Sequence, residues 1–203
     1  DIPGVIVACP SRGDDAVNMM RTLVALSKVN QRGSLFIEPI ALYMQKDLYQ
    51  EGDGLWNQSY PQPGEYTQLG APRIYQPKAK DVLIITYGNG VLMSLRAVKK
   101  FEAKHDSKVK TMDLRWLQPL NAKAIKKHAE KFDRIIIVDE GRRSACVGEG
   151  VITILAENGI KPRYLKLITG ADSYTPLANA ANLVLPGEQD ILSTLETSEA
   201  LID

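Results

Sequence analysis

The sequence predicts an α/β protein, with an open, mostly parallel β-sheet that has helices on both faces, preceded by part of another α/β domain. Two observations predict this fold class. Val82–Thr86 and the middle of Arg134–Asp139 are runs of apolar and β-branched residues, which is typical of strands buried on both faces of a parallel sheet. Such strands alternate along the chain with segments whose apolar residues recur at helical spacing.

The composition is that of an ordinary globular protein. Of 203 residues, 44% are hydrophobic and 24% are charged, and 25 Lys and Arg balance 24 Asp and Glu, so nothing indicates a nucleic-acid or membrane partner. Cys9 and Cys146 lie far apart without a metal-binding spacing and are interpreted as small buried residues in a reducing compartment. No apolar run is long enough for a membrane span, and no signal peptide is visible. Because the chain starts at Asp1 and enters a strand-like segment directly, we expect it to be a piece of a longer protein.

Residues 1–43 read as one βαβ unit, which we interpret as the end of an α/β domain. A short strand in Val5–Cys9 precedes a helix for which Ser11 is the predicted N-cap, with two aspartates in the first turn. A second strand is predicted in Ser34–Glu38. The buried stripe of the helix is predicted to comprise four apolar residues: Val17, Met20, Leu23 and Val24.

Residues 44–80 differ in character, because prolines, glycines and scattered aromatic residues such as Trp56 replace any regular period. The segment is too long for a loop inside a compact domain and too aromatic for a disordered chain. It is predicted to be an interdomain linker that packs on surfaces through its aromatic side chains.

A second domain is predicted in residues 81–203, beginning with a strand, a glycine turn and a helix. That helix is predicted to pack through Val91, Leu92, Leu95 and Val98. The elements predicted after it alternate in type: a strand in Val109–Leu117, a helix capped by Asn121, the strand Arg134–Asp139, a helix in Ser144–Glu157 ended by Asn158 and Gly159, a strand in Tyr164–Ile168, a short edge strand in Asn182–Leu185 and a helix in Asp190–Leu201. This order predicts a doubly wound sheet.

The turn Gly88-Asn89-Gly90 supplies two glycines of a dinucleotide-binding fingerprint but lacks the third, and no acidic residue follows where a ribose would need one. We interpret it as a tight turn that packing requires. Gly148 and Gly150, inside a predicted helix, are interpreted in the same way, as sites where a neighbouring element approaches closely.

Charged residues at the carboxyl ends of two predicted strands are the best-placed candidates for a functional site. Asp113 and Arg115 follow one strand, and Asp139 and Glu140 follow another. These carboxylates could serve catalysis, or they could cap loops and pair with arginines. Because no nucleophile or base accompanies them in the sequence, an interface or structural use is the favoured interpretation.

Arg142 and Arg143 precede a predicted helix N-terminus, where they could hold a phosphate or carboxylate or form an intersubunit salt bridge. The two histidines are interpreted as structural: His105 lies at a polar helix end and His128 on a packed helix stripe. Neither has a second ligand at the spacing of a zinc site.

Three segments of the second domain carry a resemblance to a known family. Asp81–Gly88, Met112–Leu120 and Arg134–Glu140 resemble the C-terminal domain shared by transketolase-like enzymes. The closest likeness is to the beta subunit of the thiamine-diphosphate-dependent 2-oxo acid dehydrogenases. Ile2–Ser11 and Leu35–Tyr43 resemble the end of the pyrimidine-binding domain of that family, so the resemblance covers nearly all of the chain except the predicted linker.

The resemblance implies a component that decarboxylates a 2-oxo acid, of the pyruvate or branched-chain type, and passes the acyl group to the lipoyl arm of a partner acyltransferase. It also implies thiamine diphosphate and Mg²⁺ in the parent enzyme, a homodimer or an assembly of alpha and beta chains, and a cytoplasmic or, in a eukaryote, mitochondrial-matrix location. The catalytic glutamate and histidine of the family and its diphosphate–magnesium motif match no residue here. We therefore expect this chain to contain no catalytic, cofactor-binding or metal-binding residue, to be inactive alone, and to serve dimerisation and assembly.

The sequence departs from the family pattern in three places. Ala145 and Cys146 replace a glycine pair, the loop that matches a potassium site is longer here, and Lys161 and Arg163 stand where acidic residues dock the acyltransferase. For this reason neither the potassium site nor the docking mode is carried over. Two alternatives stay open: a transketolase or deoxyxylulose-phosphate synthase, in which Arg142 and Arg143 would affect the binding of a sugar phosphate, and a non-catalytic interaction module.

Overall fold

The computed structural model describes residues 3–201, which form two β-sheets and five α-helices within that range. The strands are β1 (Ile6–Ala8), β2 (Ser34–Phe36), β3 (Arg73–Tyr75), β4 (Val82–Thr86), β5 (Val109–Asp113), β6 (Trp116–Gln118), β7 (Arg134–Arg142) and β8 (Tyr164–Gly170). The helices are α1 (Gly13–Asn30), α2 (Asn89–Glu102), α3 (Ala122–Ala129), α4 (Val147–Glu157) and α5 (Glu188–Ala200). Short 3₁₀ helices lie at Ile40–Leu42 and Ala178–Leu183. None of the helices in the described range is both long and apolar enough to cross a membrane.

The larger sheet has five strands in the order β3-β5-β4-β7-β8, and all pairs are parallel except β3 with β5. Side chains of β4 alternate between its two faces. Leu83 and Ile85 pack with residues of α3 and α4, whereas Val82 and Ile84 pack with residues of α2 and α5. The predicted fold class, an open, mostly parallel sheet with helices on both faces, is therefore confirmed, as is the packing stripe of α2, whose four predicted residues are all buried.

The smaller sheet has the order β2-β1-β6, and its third strand comes from the second half of the chain. β1 is parallel to β2 and antiparallel to β6. Met19 and Leu23 of α1 pack on this sheet together with Trp116. The single strand predicted over Val109–Leu117 is wrong, because Arg115 adopts a left-handed conformation (φ 60°) that ends β5 and redirects the chain into the other sheet as β6.

Two predictions about α1 are also wrong. The helix begins at Gly13 with Arg12 as its N-cap residue, and no side chain caps it, so Ser11 does not play the predicted role. Its buried residues are Asp15, Met19, Thr22 and Leu23, whereas Met20 and Val24 of the predicted stripe are 39% and 50% exposed. The buried face of the helix therefore includes two polar residues, Asp15 and Thr22. Asp15 is stabilised there by ion pairs, and the Thr22 hydroxyl donates a hydrogen bond to the Thr67 carbonyl (2.7 Å).

Near the C-terminus, the predicted edge strand Asn182–Leu185 is wrong, since its first half belongs to the 3₁₀ helix that ends at Leu183 and its second half is a turn. The amides of Val184 and Leu185 both donate to the carbonyl of Ala181 (3.1 and 3.0 Å), and a single hydrogen bond, from the Ala171 amide to the Val184 carbonyl (2.8 Å), joins this segment to the end of β8. α4 begins at Val147 instead of Ser144, because β7 extends to Arg142 and Ala145 has a positive φ of 59°.

Other local predictions are confirmed. The Asn121 side chain accepts a hydrogen bond from the amide of Ala124 (3.0 Å) and caps α3. Asn158 is the C-cap of α4, and Gly159 follows it with a φ of +68°. Gly88 also has a positive φ (+55°), and a Cβ on Gly90 would lie 2.2 Å from Thr86 Oγ1, so this turn is required by packing.

The segment predicted to be a linker, residues 44–80, includes β3 and contacts both halves of the chain. Trp56 packs against apolar residues of α2, and Arg21 of α1 donates hydrogen bonds to the carbonyls of Gln62 and Glu65 (2.6 and 2.9 Å). These contacts attach the segment to α1 and α2, which pack on the two sheets; the division at residues 43 and 80 stays a prediction.

Candidate functional site

The carboxyl ends of strands from both sheets meet at one edge of the molecule. The amide of Cys9, just after β1, donates to the carbonyl of Arg115 (2.8 Å), and the amide of Leu114 donates to the carbonyl of Thr86 (2.8 Å). A Cβ on Gly88 would lie 3.1 Å from the sulfur of Cys9. These contacts bring together a group that we name the strand-end cluster: Cys9, Ser11, Tyr87, Asn89, Asp113, Arg115, Asp139 and Glu140.

Asp139 is the anchor of one half of this cluster. Its carboxylate is 1% exposed and accepts three hydrogen bonds, from the Tyr87 hydroxyl (2.6 Å), the Gly141 amide (2.7 Å) and the Gly148 amide (2.9 Å). It thereby ties the turn after β4 to the end of β7 and to the first residues of α4. Burial and the adjacent Asp139 charge raise the pKa of Tyr87, so this phenol remains a hydrogen-bond donor.

Glu140 lies beside Asp139 but is half-buried and far less constrained. Its Oε1 accepts one side-chain hydrogen bond, from Asn89 Nδ2 (2.8 Å). Burial raises the pKa of Glu140, the Asn89 hydrogen bond opposes this, and the Asp139 charge adds to it. A carboxyl that keeps its proton more readily than usual is suited to donating a hydrogen bond or a proton.

Asp113 and Arg115 are both buried, and the structure does bring them together. Asp113 is 0% exposed, and its Oδ1 accepts a hydrogen bond from the Arg115 amide (3.1 Å). Burial raises the pKa of Asp113 to about 7, with Ser11 and Arg115 opposing the increase and Asp15 contributing to it. The Arg115 guanidinium points elsewhere: Nη1 donates to Asp15 Oδ1 (2.6 Å) and Nε to the Ala71 carbonyl (3.1 Å).

The sequence-based reasoning missed the part that Asp15 plays here. Besides Arg115, the carboxylate of Asp15 binds Nε and Nη2 of Arg73 at 2.9 and 2.8 Å. A pair of adjacent aspartates in a first helical turn is explained by the helix dipole, so nothing local indicated an ion-pair network. The two arginines lie 58 and 100 residues further along the chain, and only the folded chain brings them to Asp15.

Arg142 and Arg143 are exposed, and they form no hydrogen bond or ion pair with Asp113 or Arg115 in the described range. Arg143 Nη1 pairs with Glu149 Oε1 (3.0 Å), and Glu149 Oε2 also accepts the Ala145 amide (3.0 Å). The start of α4 is therefore already bound to a carboxylate of this chain. Hydrogen bonds from Ser144 lower the pKa of Asp172, and the charges of both arginines lower it further.

The thiol of Cys9 is 3% exposed, which confirms the prediction of a small buried residue. Burial, followed by the charges of Asp113 and Glu140, raises its pKa to about 12. A thiol that stays protonated is a poor nucleophile, so Cys9 contributes packing against Gly88. Cys146 is half-buried, and burial also raises its pKa.

A cavity of about 400 Å³ opens next to the strand-end cluster, at the carboxyl ends of β1 and β2. It is lined by polar and apolar groups that include Ser11, Gly13, Pro39, Tyr43 and Trp56. The Tyr43 hydroxyl donates to Glu38, another lining residue. The cavity and the cluster share Ser11, whereas Asp113 is fully buried and does not line the cavity.

The histidines lie outside the strand-end cluster. The His105 ring stacks on Phe101 at the end of α2, with centroids 4.5 Å apart. His128 is half-buried on α3, and burial and nearby lysines lower its pKa. Across residues 3–201, no three His, Cys, Asp or Glu side chains are grouped in a way that could hold a metal ion.

This architecture and sequence are similar to those of a known protein family. Residues 72–191 match the family described as the C-terminal domain of transketolase. A pyruvate dehydrogenase E1 component subunit beta from Staphylococcus aureus is 29% identical over 193 residues, which cover 94% of this chain and 54% of that protein. The corresponding subunit from Staphylococcus epidermidis is 27% identical over 192 residues, again 94% and 54%. The chain thus spans about half the length of these curated relatives.

Two solved structures share the fold. A split-gene transketolase, described as an inactive beta4 tetramer, superposes with a TM-score of 0.66 at 16% identity over 98% of this chain and 59% of its own. A 2-oxoglutarate:ferredoxin oxidoreductase from Magnetococcus marinus gives 0.58 at 14% identity over 96% and 42%. The resemblance to transketolase-like enzymes and to dehydrogenase beta subunits is therefore confirmed. With its parallel sheet and a family match over residues 72–191, the chain belongs to the transketolase C-terminal domain family.

Proposed function

We propose that this chain is part of the thiamine-diphosphate-dependent, decarboxylating component of a 2-oxo acid dehydrogenase, and that it serves dimerisation and assembly instead of the chemical step. The similarity to pyruvate dehydrogenase E1 beta subunits over 94% of the chain is the observation that carries the proposal. The assembly role is supported by the strand-end cluster, in which the buried carboxylate of Asp139 is bound by groups of this chain.

The residues described here do not fit the diphosphate and magnesium of the cofactor. Mg²⁺ takes oxygen ligands, usually one or two carboxylates together with waters and phosphate oxygens. Asp139 already accepts three hydrogen bonds, and Asp15 is paired with two arginines, so neither carboxylate is available. In this proposal the cofactor, which supplies the electron sink of the reaction, is held by other polypeptide.

Within the proposed enzyme the candidate residues divide into two roles. Asp113 and Arg115 are buried and join the two sheets, so we assign them to the internal interface. Glu140, with a raised pKa and one side-chain hydrogen bond, is the residue we place nearest the substrate edge. Arg142 and Arg143 are exposed at the rim and are proposed to contact a partner subunit.

The experiment is a decarboxylation assay on two samples: this chain alone, and the natural gene product that contains it together with any alpha chain. Release of CO₂ is measured with pyruvate, branched-chain 2-oxo acids and 2-oxoglutarate, with thiamine diphosphate or Mg²⁺ omitted in turn. We expect no activity from the chain alone and activity from the complete protein that requires both additions. Failure of the complete protein with all three substrate classes would contradict the proposal.

The same complete protein distinguishes the transketolase and deoxyxylulose-phosphate synthase alternatives. Those enzymes act on sugar phosphates, for which exposed arginines are suitable ligands. Replacing Arg142 and Arg143 with glutamine would then raise the KM for a sugar phosphate. A dehydrogenase with these replacements should keep its KM for the 2-oxo acid.

The proposed partners are a second copy or an alpha chain, and a lipoyl acyltransferase. Analytical ultracentrifugation of this chain should show a dimer, and the complete protein should transfer an acyl group to a lipoyl domain. A monomer that nevertheless binds other proteins would favour the non-catalytic interaction module. A cytoplasmic or mitochondrial-matrix location follows from the proposed reaction.

A further inference from the structure

Four lysines and His128 lie at the edge of the larger sheet opposite to the strand-end cluster. Lys80 precedes β4, Lys110 is the second residue of β5, Lys127 lies on α3, and Lys131 lies between α3 and β7. The charges of Lys110, Lys127 and Lys131 act on His128, and those of Lys80 and Lys131 act on Lys110, so the group is contiguous. We name these four lysines the lysine patch.

Asp81, Glu130 and Asp133 are close to the lysine patch in the sequence, but in the described part of the chain none of them forms an ion pair with it. No ion pair formed among residues 3–201 includes any of the four lysines. Burial lowers the pKa of Lys110 and of His128, and every neighbouring charge that acts on either group is positive and lowers the pKa further. Since the whole chain has a net charge of only +1, this concentration of charge is local. Like charges held together repel unless an opposite charge is supplied.

The patch is also held in place by packing. Lys110 is only 9% exposed, and its Nζ lies 4.8 Å from the centroid of the buried Phe132 ring, in cation–π contact. Ile125 and Ala129 anchor α3 in the core and leave Lys127 on its outer side. An anionic partner would therefore meet a preformed arrangement of charge, which reduces the entropic cost of binding.

We propose that the lysine patch is a docking surface for an acidic polypeptide segment of a partner protein. Charge complementarity supports a polyanion, and three observations favour a peptide. The patch consists of lysines without arginine, and its one aromatic ring, Phe132, is buried and unable to stack on a base. No large exposed apolar side chain lies between residues 67 and 164, the range that contains the whole patch, so the patch itself carries no group that would insert into a lipid surface.

This interaction is independent of the decarboxylation proposed above. The patch lies at the amino ends of β4, β5 and β7, whereas the strand-end cluster lies at their carboxyl ends. A docked segment would thus leave the cluster and its cavity open.

The test is the binding of a fluorescein-labelled oligoglutamate peptide at low ionic strength, followed by fluorescence anisotropy. One variant carries Lys80→Gln, Lys127→Gln and Lys131→Gln. The matched control carries Lys28→Gln, Lys46→Gln and Lys166→Gln, which removes the same charge from exposed lysines elsewhere. We expect the patch variant to bind about tenfold more weakly than the unmodified chain, and the control to stay within about twofold. If the triple variant is unstable, Lys127→Gln with Lys131→Gln serves the same comparison.

A second measurement is the NMR titration of His128. Its pKa should rise when the patch lysines are neutralised, and it should also rise when the peptide binds to the unmodified chain, because both changes reduce the positive field at the ring. Absence of peptide binding, equal weakening in both triple variants, or an unmoved His128 pKa on binding would overturn the proposal. Tighter binding of a single-stranded oligonucleotide or of phosphatidylserine vesicles than of the peptide would overturn the assignment to an acidic polypeptide.

Discussion

Asp15 of α1 and Arg115, in the connection between β5 and β6, form a buried ion pair with 2.6 Å between Oδ1 and Nη1. The side chain of Asp15 is 0% exposed and that of Arg115 is 10% exposed. Arg73, at the start of β3, binds the same carboxylate. One acidic residue of the helix on the smaller sheet is therefore held by arginines from the larger sheet and from the link between the sheets. Since buried charges require their partners, this network favours a single relative placement of the two sheets.

Replacing Asp15 with asparagine should reduce the free energy of unfolding by about 3–5 kcal/mol, because it leaves two guanidinium groups without their shared carboxylate. Urea denaturation followed by circular dichroism measures the change. Asp14→Asn is the matched control: this carboxylate is 19% exposed and shares Arg73, so its loss should cost distinctly less, about 1 kcal/mol. Equal losses for the two variants would show that the buried carboxylate of Asp15 contributes no more to stability than the partly exposed carboxylate of Asp14.

The stability of the chain should depend on pH through Asp113. Its pKa in the folded chain is about 7, compared with an ordinary value of 3.8, so the folded state binds the proton more tightly than the unfolded state. The contribution of Asp113 is therefore most favourable below pH 4, declines as the pH rises to 7, and stays low above 7. The difference in pKa corresponds to at most about 4 kcal/mol.

Asp113→Asn removes this titration, so its stability relative to the unmodified chain should increase between pH 4 and pH 7. Urea denaturation at a series of pH values measures the difference in free energy of unfolding between the two proteins. The contributions of the other titrating groups are the same in both proteins and cancel in this difference. Parallel profiles of the two proteins across this range would contradict the raised pKa of Asp113.

Asp139 should matter more than its partner Tyr87. Asp139→Asn disturbs three hydrogen bonds at a buried position, including two from backbone amides, and should cost about 3 kcal/mol or more. Tyr87→Phe removes one donor and leaves both amide bonds, for an expected cost of about 1–1.5 kcal/mol. Thermal unfolding of both variants tests the order; a larger effect for Tyr87→Phe would mean that the amide bonds do not anchor the end of β7.

Gly90→Ala should destabilise the chain by about 1–3 kcal/mol, because its Cβ would lie 2.2 Å from Thr86 Oγ1 and force α2 away from β4. Gly13→Ala provides the comparison. Gly13 also lies at the start of a helix, as the first residue of α1. No atom lies within 4 Å of its Cβ position, so alanine should change the stability by less than about 0.5 kcal/mol. A tolerated Gly90→Ala would indicate that the turn is not closely packed.

Much of the fold follows from local patterns in the sequence. The uncharged run of β4, the apolar stripe of α2 and the cap residues Asn121 and Asn158 each act on their immediate neighbours, so they were predictable one element at a time. The position of Asp113 and Glu140 at the carboxyl ends of strands was predictable for the same reason, because parallel strands end at a common edge.

Sequence by itself therefore determined the main alternation of strands and helices and the edge at which Asp113 and Glu140 lie, although β3 and the division between β5 and β6 were not predicted. Tertiary structure alone decided that Asp15 is buried, that the chain leaves one sheet for the other at Arg115, and that Lys110 lies near both Lys80 and Lys131. The physical reason is the range of the interactions. Periodicity and capping act within a few residues, whereas the ion pairs of Asp15 join positions 58 and 100 residues apart and form only once the two sheets have come together.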